Sequence, residues 1–188
     1  MLRPTPRILI FGFGRFGHYS SNITESIIAA LPRSKGIATK VFDVKFDAKL
    51  FSRTFDTLQP QVIIGLGQHP RARKIRIERR AQNLMARTRT QPPRPVDGSE
   101  ATARFATLRL PSSAATTITY NAGTYVCNFS MWQMSRWCER HDAKWAFLHI
   151  PWDTNIPHTV RYLQAACAGL RKTTINVSTS RFVRAPHG

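Results

Sequence analysis

A chain of 188 residues, 42% of them hydrophobic and 20% charged, is long enough for one ordinary domain with a real core and too apolar to be disordered throughout. Its 28 lysines and arginines against 10 aspartates and glutamates give a formal charge of +18, a field that favours polyanions and steers acidic partners. No apolar run approaches the roughly 18 residues of a membrane span, and the opening run, residues 8–13, is too short for a secretory signal, so a soluble cytoplasmic protein without a membrane partner is expected.

The run Arg7-Ile-Leu-Ile-Phe11 stops at a glycine, as a buried parallel strand feeding a loop does. After a loop over 12–17, Asn22 and Thr24 are N-cap residues for a helix that reaches about Leu31 and ends at Pro32. Residues 37–46 alternate as a second strand, residues 48–58 form a short amphipathic helix closed by Pro60, and residues 61–65 form a third buried strand leading into a loop over 67–71. Residues 74–78 alternate polar and apolar, the pattern of a strand with one wet face. A proline-rich loop is expected over 88–103, with short strands over 105–110 and 116–120. A helix over 126–140, a strand over 144–150 and a last helix over 158–170 complete the pattern. Strands alternating with helices predict an α/β fold, a single three-layer domain with a twisted, largely parallel sheet flanked by helices. That domain takes residues 1–170; residues 171–188 are either an edge strand or a loose basic tail.

Three cysteines, Cys127, Cys138 and Cys167, make neither a paired framework nor a CxxC, which points to reduced thiols. The basic residues are scattered and form neither one amphipathic basic helix nor an aromatic-interleaved RNA-binding signature. They predict a solvated surface, with non-specific polyanion binding as its consequence.

Gly12-Phe-Gly14-Arg-Phe-Gly17 follows a strand, and Asp43 ends the next, which is the outline of a dinucleotide fingerprint. The helix should begin inside that motif, yet residues 17–22 read as loop, and Phe13 and Phe16 put bulk where a phosphate needs room. Nicotinamide-cofactor binding is thus the weakest of the readings. Asn121-Ala-Gly-Thr-Tyr-Val-Cys127-Asn128 puts Cys127 at a helix start, where backbone amides favour an anion, activate a thiol and are free to receive an oxyanion. The plain alternative is a small buried hydrophobe, and Cys138 and Cys167 take it. His149 ends an apolar strand, where parallel sheets gather their chemistry, and is a candidate base for Cys127. Glu78, among Arg76, Arg79 and Arg80, is by default a surface salt-bridging residue, or else the third member of a triad.

Taken together, several segments resemble the pyroglutamyl-peptidase I (pyrrolidone-carboxylate peptidase) family. They are Gly65-Leu-Gly67-Gln68 with Arg71 and Ile75-Arg-Ile-Glu78-Arg-Arg-Ala81-Gln-Asn83, the cysteine segment 121–128, Phe147-Leu-His149-Ile-Pro151, and the aromatic loop from Gly12 to Gly17 followed by Asn22. The resemblance covers about residues 8–152. It implies a phosphorylase/hydrolase-like fold and a cysteine peptidase that removes N-terminal pyroglutamate from peptides without metal or cofactor. It further implies Cys127 as nucleophile, His149 as base and Glu78 as its orienting carboxylate. Phe13 and Phe16 would clasp the lactam ring, Gln68, Tyr125 and Val126 would line its polar edge, Arg87 would lie near the oxyanion, and the protein would be a homo-oligomer. The chain departs from the family at Arg87-Thr-Arg-Thr-Gln-Pro, where Arg87 is one residue short in its spacing from Glu78, and over 110–117, too short for a helix that members carry. The alternative is therefore a catalytically altered or inactive member acting as a basic polyanion-binding protein.

Overall fold

The computed structural model describes residues 7–17, 20–88 and 90–179, with the side chains of 171–179 left out. In chain order the elements are β1 (Ile8–Phe13), α1 (Ile23–Ala30), β2 (Ile37–Phe42), α2 (Ala48–Leu58), β3 (Val62–His69), β4 (Ile75–Glu78), β5 (Arg80–Gln82), β6 (Ala103–Phe105), β7 (Thr116–Thr119), α3 (Val126–Arg140), β8 (Lys144–Pro151) and α4 (Ile156–Thr179). Six strands form one sheet in the order β2-β1-β3-β8-β4-β7, and β5 and β6 pair separately. All neighbours in the large sheet run parallel except β4 against β8.

Side chains alternate across a strand, and here that alternation sorts the core into two layers. Ile8 and Ile10 of β1, Ile64 and Leu66 of β3, and Leu148 and Ile150 of β8 face Ile27 of α1 and Leu163 of α4. Leu9, Phe11, Ile63, Trp145 and Phe147 face Phe51 and Phe55 of α2 and Phe129 and Trp132 of α3. The three-layer α/β sandwich expected from the sequence is the result. Among the described residues no helix is long and apolar enough to cross a membrane.

Several boundaries differ from the sequence reading. β3 does not break at Gly67 but runs to His69, because Leu66 to His69 pair with Leu148 to Pro151 of β8. β2 stops at Phe42, short of 46. The strand expected over 105–110 is β6, shifted to Ala103–Phe105, where it pairs with a β5 the sequence did not announce. Beyond it the backbone turns to satisfy Arg79, whose guanidinium donates to the carbonyls of Ala106 and Leu108. The loop before β6 is docked rather than loose. Asn83 accepts from the amides of Val96 and Asp97 and donates to the carbonyls of Asp97 and Ser99. Asp97 in turn receives Trp132 Nε1–H of α3.

α4 starts two residues earlier than expected and its backbone runs through Thr179, into the segment read as edge strand or tail; residues 180–188 lie outside the described residues. The glycine motif does not build a dinucleotide turn. Gly12 lies inside β1, and α1 begins only at Ile23, so no helix N-terminus follows the glycines closely enough to face a pyrophosphate.

Candidate active site

Three elements meet over the C-terminal ends of β3 and β8. The registers align Gly67 with His149, His149 with Arg76, and Arg76 with Thr117. One step along, Gly65, Phe147, Glu78 and Thr119 form a second row. All these side chains share the face covered by α3, so β4 presents its polar pair to the protein interior and its apolar pair, Ile75 and Ile77, to the opposite core layer. The first turn of α3 lies above. Its approach is so close that a Cβ on Gly67 would stand 2.7 Å from Cys127 Sγ and 3.0 Å from His149 Cδ2.

His149 is almost fully buried and its Nδ1 lies 2.9 Å from Glu78 Oε1. A carboxylate accepts, so Nδ1 carries the proton and Nε2 is left for the thiol. Burial is the largest single influence and disfavours the charged ring, but Cys127 and then Glu78, through charge and hydrogen bonding, together overcome it, so His149 is pushed up to about 9. Glu78 is wholly buried. Burial alone would raise its pKa; the hydrogen bond and charge of His149, the hydroxyl of Thr119 on Oε2 and the charge of Arg76 together hold it below the usual value. Cys127 is half-buried, whereas Cys138 and Cys167 are buried, and burial pushes the Cys138 thiol up to about 12.

Helix α3 starts at Val126 with Tyr125 as N-cap, and the Tyr125 side chain makes no capping bond. The first-turn amides of a helix have no intrahelical acceptor, which leaves those around Cys127 available for developing negative charge. The helix start is fixed by Asn128. Its side chain accepts from Gln82 N–H at 2.8 Å and donates to the carbonyls of Gln82 at 2.9 Å and Leu84 at 2.7 Å.

Cys127, His149 and Glu78, far apart in sequence, are thus brought together. The other candidates surround them unevenly. Phe13 is sealed in the core, its ring 5.7 Å from Phe11 and 6.4 Å from Phe51 between centroids. Phe16 is half-buried in the loop after β1. Gln68 Oε1 accepts from Ile23 N–H, which ties the end of β3 to α1. Val126 is buried. Tyr125 is half-exposed and lies edge-on to Phe46 at 5.3 Å. Arg87 is exposed, its guanidinium 5.9 Å over the same Phe46 ring.

Sequence reasoning missed His69, Arg76 and Thr119. The His69 ring lies 5.2 Å from that of His149, edge to face, and its Nε2 is 3.0 Å from Arg76 Nη1. An arginine only donates, so that nitrogen accepts. Burial first, then the charges of His149 and Arg76, hold His69 below its usual pKa and keep it neutral. Arg76 Nε stands 3.2 Å from Glu78 Oε1. The available signal was positional: His69 ends a buried strand and Arg76 lies two residues before Glu78, on the same face.

Known proteins resemble this chain in sequence and in fold. Residues 6–170 match the pyroglutamyl peptidase family. A pyrrolidone-carboxylate peptidase of Thermococcus litoralis is 30% identical over 168 residues, 78% of this chain and 76% of that protein. Its pyrrolidone carboxyl peptidase structure superposes with a TM-score of 0.77 at 21% identity, over 97% of this chain and 100% of the other. Pyroglutamyl peptidase I of Bacillus amyloliquefaciens gives 0.77 at 22% identity, over 88% and 94%. The chain belongs to the pyroglutamyl peptidase family.

Proposed function

We propose that this protein is a cysteine exopeptidase that removes N-terminal pyroglutamate from peptides. The observation that carries the reading is buried Glu78 hydrogen-bonded to His149, whose ring and the half-buried Cys127 thiol at the start of α3 both close over Gly67. In the cycle, His149 takes the thiol proton and Cys127 Sγ attacks the pyroglutamyl carbonyl carbon. The first-turn amides of α3 receive the oxyanion, with Arg87 as a further donor. The C–N bond then breaks and His149 returns its proton to the leaving amine. Water, deprotonated by His149, hydrolyses the thioester, releasing pyroglutamate and restoring the thiol. Glu78 holds the imidazole in the tautomer that directs Nε2 at sulfur.

For the lactam we assign Phe16, Gln68, Tyr125 and Val126, with Phe13 as the buried back wall. A lactam carries no charge, so ring shape and an N–H/C=O match select it, and wrong substrates leave those polar groups unpaired. The peptidase unit is residues 1–170, in keeping with the extent of the family match, and the rest is an appendage. Free thiols throughout favour the cytoplasm. Exposed Ile118 and Tyr120 on and beside edge strand β7 favour a homo-oligomer, and the +18 charge favours non-specific polyanion binding. The test is hydrolysis of pyroglutamyl-aminomethylcoumarin. Cys127→Ala and thiol alkylation are expected to abolish turnover, and undiminished turnover in Cys127→Ala would refute the reading.

A further inference from the structure

The sheet order gives this site two distinct flanks. The residues assigned to the lactam lie on β1 and in the loop after it, at the end of β3 and at the start of α3; β4 and β7 lie on the other side of His149. For a peptide whose pyroglutamyl ring sits on the first flank, the second flank is the side left for its next residue. Arg76 stands there, next to His149 in the register and with its side chain 23% exposed. One Nη meets His69 and the other donates to Asn121 O at 3.1 Å, while Nε faces Glu78. A guanidinium has five N–H groups, so two remain after those three contacts. Beside it, Arg80 Nε donates to the preceding carbonyl, Tyr120 O, at 2.8 Å. Two guanidiniums are therefore hung on successive carbonyls of the turn that leads into Cys127.

Arg76 has Glu78 on its buried side, but among the described residues no ion pair reaches its exposed side or Arg80. The ion pairs among the described residues engage Asp43, Asp97 and Glu139 elsewhere, and Glu78 is buried beneath the site. Arg71, Arg73 and Lys74, all exposed, continue the positive charge along the β3–β4 turn at the same end of the sheet. Such a cluster is self-repelling when empty and is complementary to an anion.

Resting on the peptidase reading, we propose that this enzyme selects pyroglutamyl peptides with an acidic residue directly after the pyroglutamate, whose carboxylate Arg76 receives with Arg80 beside it. Arg76 then acts as a specificity-determining residue on the leaving-group side, and the wider positive field draws acidic peptides to the site.

The test compares pyroglutamyl-Asp-Ala-amide with its neutral isostere pyroglutamyl-Asn-Ala-amide, following released dipeptide amide by chromatography. The wild-type protein is expected to show kcat/KM about tenfold higher for the Asp peptide, a preference that shrinks as salt screens the exposed charges. In Arg76→Gln the ratio is expected to fall toward one, whatever happens to the absolute rate through the contact with Glu78. Arg80→Gln is expected to reduce it partially and keeps the test alive should Arg76→Gln fail to fold. Equal cleavage of both peptides by the wild type overturns this proposal and leaves the peptidase reading standing. Cleavage of neither overturns both. An Asp preference unchanged in both variants overturns the assignment to these arginines.

Discussion

Replacing Gly67 with alanine puts one methyl group where the site has no room for it. The added Cβ would lie 2.7 Å from Cys127 Sγ, 2.9 Å from Phe147 Cζ and 3.0 Å from His149 Cδ2. Ordinary non-bonded contacts settle at about 3.5–4.0 Å, so sulfur must retreat by about 1 Å unless the ring or the strand yields. Neither yields easily, since Phe147 is fully buried and β3 is hydrogen-bonded to strands on both sides. Overpacking of this kind costs about 1–3 kcal/mol, which in a domain of this size lowers Tm by about 2–4 °C per kcal/mol. A nucleophile displaced by about 1 Å loses about 10²-fold in rate. The assays are hydrolysis of pyroglutamyl-aminomethylcoumarin and a thermal melt, with Gly65→Ala as comparator. Its Cβ would press first on Phe147 Cδ2 at 2.5 Å and Phe11 Cζ at 2.8 Å, two core rings, so it is expected to melt early with the smaller loss of rate. A Gly67→Ala protein with wild-type kcat/KM and Tm would refute the packing of α3 on β3, and an equal rate loss in both variants would refute the argument from sulfur.

Glu78→Gln removes the carboxylate on which both Arg76 and His149 rely. Breaking a buried pair from one side costs about 3–5 kcal/mol, so a clearly lowered Tm and a rate loss of about 10²–10⁴-fold are expected; a silent substitution would contradict the burial of Glu78. The pH dependence of stability follows from the two shifts. His149 rises from 6.5 to about 9 on folding, so its contribution is complete below 6.5 and lost as pH climbs through 9. Glu78 is lowered, so its contribution is present above about 4.5 and lost as pH falls through the depressed folded value. Melts from pH 6.5 to 9 should therefore fall more steeply for the wild type than for Cys127→Ala, which lacks the sulfur partner that raises His149; parallel curves would refute the coupling. Asn128→Ala orphans one amide and two carbonyls at the junction of β5 and α3, an expected cost of about 3 kcal/mol at roughly 1 kcal/mol per bond, and an unchanged melt would remove Asn128 as the anchor of the helix start.

The parts of this fold legible in the sequence are those whose signal is local. β1, β3 and β8 are covered on both faces, so each is a continuous apolar run, and Asn22 caps α1 with its own side chain. Cys127 at a helix start and His149 near a strand end were visible for the same reason. β4 shows where local reading fails. Its alternation suggested one wet face, but Arg76 and Glu78 point under α3 and into the site, because alternation reports polarity and not solvent. Glu78 entered as a triad member through family resemblance, since spacing alone made it a surface residue. His69, Arg76 and Thr119 acquire their partners only through the registers of β3 on β8, β4 on β8 and β7 on β4, which no stretch of sequence encodes. β5 and β6, three residues each, depend on Asn128 and the docked loop.

The buried charges explain why an arginine belongs beneath a peptidase site. While His149 carries a proton it is one cationic partner of Glu78, and Arg76 is the other. Once the acyl-enzyme forms and the amine departs with its proton, sulfur is esterified and His149 is neutral, so the first of these partners no longer counts. Without Arg76, Glu78 would then be a wholly buried carboxylate held only by a neutral imidazole and the Thr119 hydroxyl, and burial would drive it to take a proton. A protonated Glu78 no longer holds His149 in the tautomer that activates water. Arg76, permanently charged and 3.2 Å away, keeps Glu78 ionised through both halves of the cycle. Arg76→Gln should therefore slow deacylation more than acylation, seen as a burst of aminomethylcoumarin followed by a depressed steady state; a uniform loss without a burst would refute that role.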